Sequence, residues 1–478
     1  MDQEHNENIR PVNPRRRKRS KTQIFKEAYL PVVIAGVTLL LILTFIIGSI
    51  VRSVQKNNAA HDASIQASIS ILNEQARLAE EEQELLSQAQ RLAADYDYAG
   101  ALQVLGTFSG DMGQYPTISA KVAEYEAAKN ALVAWNDLSK IPNLSFQTLM
   151  ANPAQSFAHS TYGSAFNKNY VTTAEFSKIL EQLYGNGYIL VSMDDLVTAT
   201  TGKDGTVTYT PKTLYLPEGK KPVMLTQTNV NYNIYMVDGD GDKLPDKNGA
   251  GFACKLIFDT DGSITCQMVD SNGTTVTGDY DLVPILDKFI EAHPDFSYRG
   301  AKAVLALTGY NGLFGYRTYS GAEKDFGTEA YNKAVADATK IAKALRESGY
   351  ELACYTYNNV PYGGYNVSSL EADLTQWITE ALPILGQVDT MVFAQLSDIT
   401  NTEVYSGEKF TILQSAGFRY YLGFCQDGTG WGVVNSNYVR HARLMVTGSN
   451  MAHHADWFKD LFNPSSVLDT QIRGKIPS

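Results

Sequence analysis

The stretch that most constrains this chain is residues 221–232, KPVMLTQTNVNY. Behind Pro222 it opens as a short apolar run, VMLT, of the kind that fills a buried strand. It then turns abruptly to side-chain hydrogen-bonders: Gln227, Thr228, Asn229 and Asn231. A buried strand ending in such a cluster reads as the carboxyl end of a parallel α/β strand, where barrels and doubly wound sheets place their ligands. The cluster holds no acid, base or thiol.

Downstream of Ile141, helical and strand patterns alternate. Thr172 and Glu175 have capping-box spacing, and Phe176, Ile179, Leu180 and Leu183 then repeat at helical period. Strands are predicted at 188–193, 302–308, 350–356, 390–394 and 420–424, with helices at 281–292 and 329–348. A hairpin, KLIFDTDGSITCQ, turns at Asp261-Gly262. Strands separated by helices of this length predict an α/β fold, a parallel sheet or barrel.

The amino-terminal part reads differently. Residues 1–29 form a polar, basic tail containing RRRKRSK, and residues 30–52 begin with the uncharged run LPVVIAGVTLLLILTFIIGSIV. That length matches a bilayer core of ~30 Å, and the basic block before it predicts a single-pass anchor with a cytoplasmic amino terminus and an extracellular remainder. Residues 55–137 are rich in Ala, Glu and Gln. Their apolar positions Ile65, Ile69, Leu72, Ala76 and Ala79 predict a helical stalk or hairpin that could self-associate.

Several spaced segments of 140–478 resemble the polysaccharide deacetylase (NodB-homology) family: VTTAEFSKILEQLYGNGYILVSMDDL, AKAVLALTG, IAKALRESGY and ELACYT. The resemblance implies a deformed (β/α) barrel and a carbohydrate or cell-wall polysaccharide as ligand. It also implies a divalent metal such as zinc, which activates water against an acetamide. The family's T-F-D-D motif falls on Thr226-Gln227-Thr228-Asn229, so both carboxylates are replaced. Its H-[ST]-x-x-H motif falls on Tyr355-Thr356-Tyr357-Asn358-Asn359, so both imidazoles are replaced.

Asn229, Tyr355 and Asn359 at the three ligand positions cannot supply the charged or imidazole donors that zinc takes. The expectation is therefore a barrel without resident metal or catalytic residues, serving in glycan binding or scaffolding. Candidate ligand contacts are Asn229, Asn231, Tyr232, Tyr316, Arg317, Tyr355, Tyr357 and Asn359, tyrosines for stacking and amides for hydrogen bonding. The competing expectation is an active amide hydrolase with a displaced site drawn from Asp194, Asp195 or Asp398 with His453, the last on a loose match to the family's leucine-x-histidine motif.

Net charge of −11 argues against nucleic acid as a partner. Asp238-Gly239-Asp240-Gly241-Asp242 resembles the start of a calcium loop but has Lys243 and Gly249 where Gly and Glu belong, which favours a solvated turn. Cys254 and Cys266 flank the hairpin turn, open to a disulfide or to two buried thiols.

Overall fold

The computed structural model describes residues 36–47, 59–400 and 404–478. The described chain falls into two compact units, one ending at Leu132 and the other holding Val133–Ser478. The first is helical: α1 (Ala59–Ala94), α2 (Tyr98–Leu105) and α3 (Pro116–Asn130). Asp97 caps α2 by accepting the Gly100 N–H at 3.1 Å. Ala89, Ala101, Leu105, Ile118 and Tyr125 form its small core.

The expected membrane anchor is overturned. No helix among the described residues is long and apolar enough to cross a membrane. The cytoplasmic and extracellular assignment that depended on this helix loses its basis. The basic tail 1–29 and the ends of the 30–52 stretch lie outside the described residues.

The second unit is a closed parallel barrel of seven strands: β1 (Asn143–Phe146), β2 (Lys221–Thr228), β3 (Val304–Leu307), β4 (Glu351–Cys354), β5 (Thr390–Val392), β6 (Tyr420–Phe424) and β7 (Tyr438–Met445). They pair in sequence order, and β7 closes on β1 through Leu444↔Leu144. The α/β barrel expected from the sequence is what the chain forms. The unit starts at Val133 rather than near 140, because Val133–Trp135 pairs with Leu214–Leu216.

Alternation along β2 explains why the barrel holds. Val223 and Leu225 join the outer core with Phe176, Ile179, Leu180 and Leu183 of α4 (Thr173–Gly185). The alternate residues Met224, Thr226 and Thr228 point to the lumen, where Thr226 donates to Asn143 of β1 at 2.8 Å. The α4 capping box is present, with Thr172 accepting the Glu175 N–H and Glu175 accepting the Thr172 N–H. Helices α5 (Leu282–Ala292), α6 (Thr328–Glu347) and α7 (Val367–Glu380) precede β3, β4 and β5 respectively. On α5, Leu282, Val283, Leu286 and Ile290 are buried, each contributing roughly 1.5–3 kcal/mol on removal from water. The link from β6 to β7 contains a strand, Gly432–Asn435, antiparallel to β7.

In the 255–269 hairpin Cys266 lies opposite Leu256, not Cys254, so the two thiols do not face each other. All four cysteines are free and buried.

Candidate functional site

Loops at the carboxyl ends of β1 to β5 form the barrel mouth, and their backbone is strained. Among the described residues ten non-glycine residues have positive φ, and seven of them lie shortly after the ends of β2 to β5: Asn229 (62°), Tyr232 (50°), Phe314 (55°), Thr356 (59°), Asn359 (54°), Gln395 (51°) and Leu396 (52°). Thr356, Tyr232 and Phe314 are poorly suited to that region, at a cost of roughly 1–3 kcal/mol each. Strain gathered at one end of a barrel marks that end as the one shaped for a ligand.

After β2, Thr148 donates to the Asn229 carbonyl at 2.9 Å, and Asn229 donates to the Gln147 side-chain oxygen at 2.8 Å. The buried Asn229 Oδ1 has no protein partner. Asn231 is a clamp between loops. It donates to the Thr308 and Gly312 carbonyls and accepts the Thr308 N–H at 3.0 Å. Tyr232 turns inward, fully buried, and donates to Asp281 at 2.7 Å. The same carboxylate accepts the Leu149 N–H at 2.9 Å and the Gln227 amide at 2.6 Å. Burial pushes the Asp281 carboxyl up, and these donors work against that shift.

After β4, Tyr357 is also buried. It packs where a Cβ on Gly309 would come within 2.2 Å of its ring, and its hydroxyl donates to Glu380 at 2.5 Å. Asp373 ties down this turn, accepting the Tyr357 and Asn358 N–H groups at 2.7 and 3.0 Å. The side chains of Asn231, Tyr232 and Tyr357, three of the expected ligand contacts, are thus each hydrogen-bonded inward. The Asn359 carbonyl accepts from Gln395 at 2.6 Å, while its buried Oδ1 has no partner. Tyr316 lies half-buried under Lys255, whose ammonium sits 4.9 Å from the ring centroid, and burial pushes its phenol up to about 12. Arg317 is buried, with Nη1 donating to the Tyr232 and Asn311 carbonyls and Nη2 unpartnered.

Tyr355, the first residue after β4, is also buried. The loops after β1, β2 and β3 supply three further tyrosines, Tyr170, Tyr235 and Tyr310. Tyr170 and Tyr235 hydrogen-bond at 3.1 Å. Arg443 of β7 is fully buried. Its Nε donates to the Gly423 carbonyl at 2.9 Å, Nη2 to the Phe393 carbonyl at 2.7 Å, and Nη1 to Ser145 at 3.3 Å. Burial pushes this guanidinium below its usual range. Sequence reasoning missed Gln147, Tyr170, Tyr235, Tyr310 and Arg443. They come from distant segments, and only the charge of Arg443 within a strand-like run offered a signal.

The residues at the expected ligand positions do not fit a divalent metal. Asn229 and Asn359 offer neutral amides and Tyr355 a phenol, none of them the carboxylate, imidazole or thiolate donor such a metal takes. The proposed displaced site is divided between the two ends of the barrel. Asp194 accepts from Tyr420, the first residue of β6, at 3.0 Å. Asp195 is spent on Ser192, whereas Asp398 follows the carboxyl end of β5 and pairs with Arg440 at 2.9 Å. His453 is exposed on a short helix after β7, with Nε2 3.4 Å from the Ile476 carbonyl. Asp238, Asp240 and Asp246 cluster, but Asp238 and Asp246 already accept backbone N–H groups of their own turn.

No family model matches this chain, and no curated protein matches it. Among solved structures, the Streptococcus pyogenes deacetylase PplD in complex with acetate is similar over 67% of this chain and 95% of that one. Identity is 13% and the TM-score 0.34. A likeness this loose carries neither fold nor function, which rest on the barrel itself.

Proposed function

We propose that the barrel mouth binds saccharide without hydrolysing it. The observation that carries this reading is the hydrogen-bonded phenol pair Tyr170 and Tyr235, from the loops after β1 and β2, together with strained loops at the same barrel end that carry the unpartnered amide oxygens of Asn229 and Asn359. Tyrosine supplies both an apolar face for a pyranose ring and a hydroxyl for its substituents. The segments that resemble deacetylase motifs support a saccharide as the ligand class, since Thr226–Asn229 and Tyr355–Asn359 both fall at carboxyl ends of barrel strands. The same segments contain no carboxylate or imidazole, so they lack a group to deprotonate water. Titrating the full chain with chitooligosaccharide by calorimetry tests the reading. Tyr310→Ala and Tyr235→Ala should weaken binding about tenfold each, in line with the ~1.4 kcal/mol per tenfold that a stacked ring can supply. Unchanged affinity in both variants would place the ligand elsewhere.

A further inference from the structure

Backbone strain and exposed apolar surface are each unfavourable, and a fold ordinarily keeps them on different residues. The strained aromatic residues Tyr232 and Phe314 are fully buried, so packing offsets their positive φ. Lys243, also at positive φ, is polar and pairs with Asp325 at 2.6 Å. Leu396 carries both penalties. Its φ is 52° and it is 48% exposed, and among the described residues no other large apolar side chain combines the two. In a surface turn with no further task, glycine or asparagine would take that φ at less cost.

The turn is held from both sides. Gln395 (φ 51°) donates through Nε2 to the Asn359 carbonyl at 2.6 Å, which ties the loop after β5 to the loop after β4. Beyond Leu396, the Ser397 carbonyl accepts the Gly363 N–H at 3.3 Å, and Asp398 is fixed by Arg440 at 2.9 Å and by Tyr405 at 2.8 Å. A Cβ on Gly363 would come within 2.2 Å of the Asp398 carbonyl oxygen, so the two loops are in close contact there. These bonds fix the backbone around Leu396 and leave its isobutyl group towards solvent at the mouth.

Resting on the saccharide reading, we propose that Leu396 is a ligand-contact residue, its side chain covering the apolar side of a bound saccharide. A sugar ring presents C–H groups on its faces and hydroxyls at its edge, and an aliphatic side chain takes the C–H groups out of water. Burial of Leu396 by the ligand recovers the hydrophobic free energy that the unliganded protein forgoes. The turn is already set before the ligand arrives, so binding does not have to order it. The Gln395–Asn359 bond joins this apolar contact to the loop that carries the unpartnered Asn359 amide oxygen.

The test pairs chitooligosaccharide calorimetry with thermal melts on the full chain, unaltered and carrying Leu396→Gly, Leu396→Asn or Val133→Ser. Glycine and asparagine both accept positive φ, so these variants remove the side chain and keep the turn. Each should weaken binding about tenfold while the melting temperature holds or rises. Val133 is 46% exposed and lies outside the mouth loops, so Val133→Ser should leave affinity as it is. Unchanged affinity in both Leu396 variants would overturn the contact role and leave saccharide binding standing. A lowered melting temperature with affinity retained would overturn it too, by assigning Leu396 to packing. Absence of binding even in the unaltered chain would overturn the saccharide reading itself, and this inference with it.

Discussion

Tyr232 donates its hydroxyl to the Asp281 carboxylate at 2.7 Å, inside the protein and away from the mouth it follows in sequence. The pair fastens the loop after β2 to the amino end of α5, and Gln227 and Leu149 complete the junction. Asp281→Ala strands three buried donors at once. At roughly 1–3 kcal/mol for each unsatisfied group, the variant should lose more than ~3 kcal/mol in urea denaturation. Tyr232→Phe removes one bond and should cost roughly 1–3 kcal/mol.

A second prediction separates packing tyrosines from ligand tyrosines. Gly309→Ala places a methyl 2.2 Å from the Tyr357 ring and must displace it from Glu380. A clear drop in melting temperature is expected, corresponding to roughly 1–3 kcal/mol as for other overpacked sites. Tyr357→Ala should likewise destabilise, whereas Tyr310→Ala should change saccharide affinity more than stability. Thermal melts and calorimetry on the same three variants check the division.

Acid sensitivity has an identifiable source in His441. Burial pushes its imidazole down to about 4, from an ordinary value of ~6.5. A histidine with a depressed folded pKa contributes stability that is fully present above pH ~6.5 and lost as pH falls through about 4. At ~1.36 kcal/mol per pKa unit this amounts to about 3 kcal/mol. His441→Gln should flatten the stability profile between those two pH values, measured by denaturation at each pH.

The strands that sequence reasoning found share one property: each contains an unbroken apolar run, as VLAL in β3 or LAC in β4. β7, YVRHARLM, escaped notice because Arg440, His441 and Arg443 break up its apolar residues, although all three are buried in the fold. β1, NLSF, is four residues with two polar lumen positions. The mouth was legible as a place but not as a list of contacts. Tyr232 and Asn231 sit next to the right strand end, yet a φ of 50° at Tyr232 turns its ring into the core. Tyr170, Tyr235 and Tyr310 come from three different loops, so no local pattern joins them to Tyr355.

The central claim is that the mouth holds saccharide and leaves its acetamides intact. The most direct measurement is native mass spectrometry of the full chain incubated with acetylated chitooligosaccharide and zinc, followed over time. The account predicts a complex of protein with unmodified oligosaccharide, no bound zinc at the barrel mouth, and no release of acetate. Oligosaccharide recovered with acetyl groups missing, in amounts exceeding the protein, would contradict it.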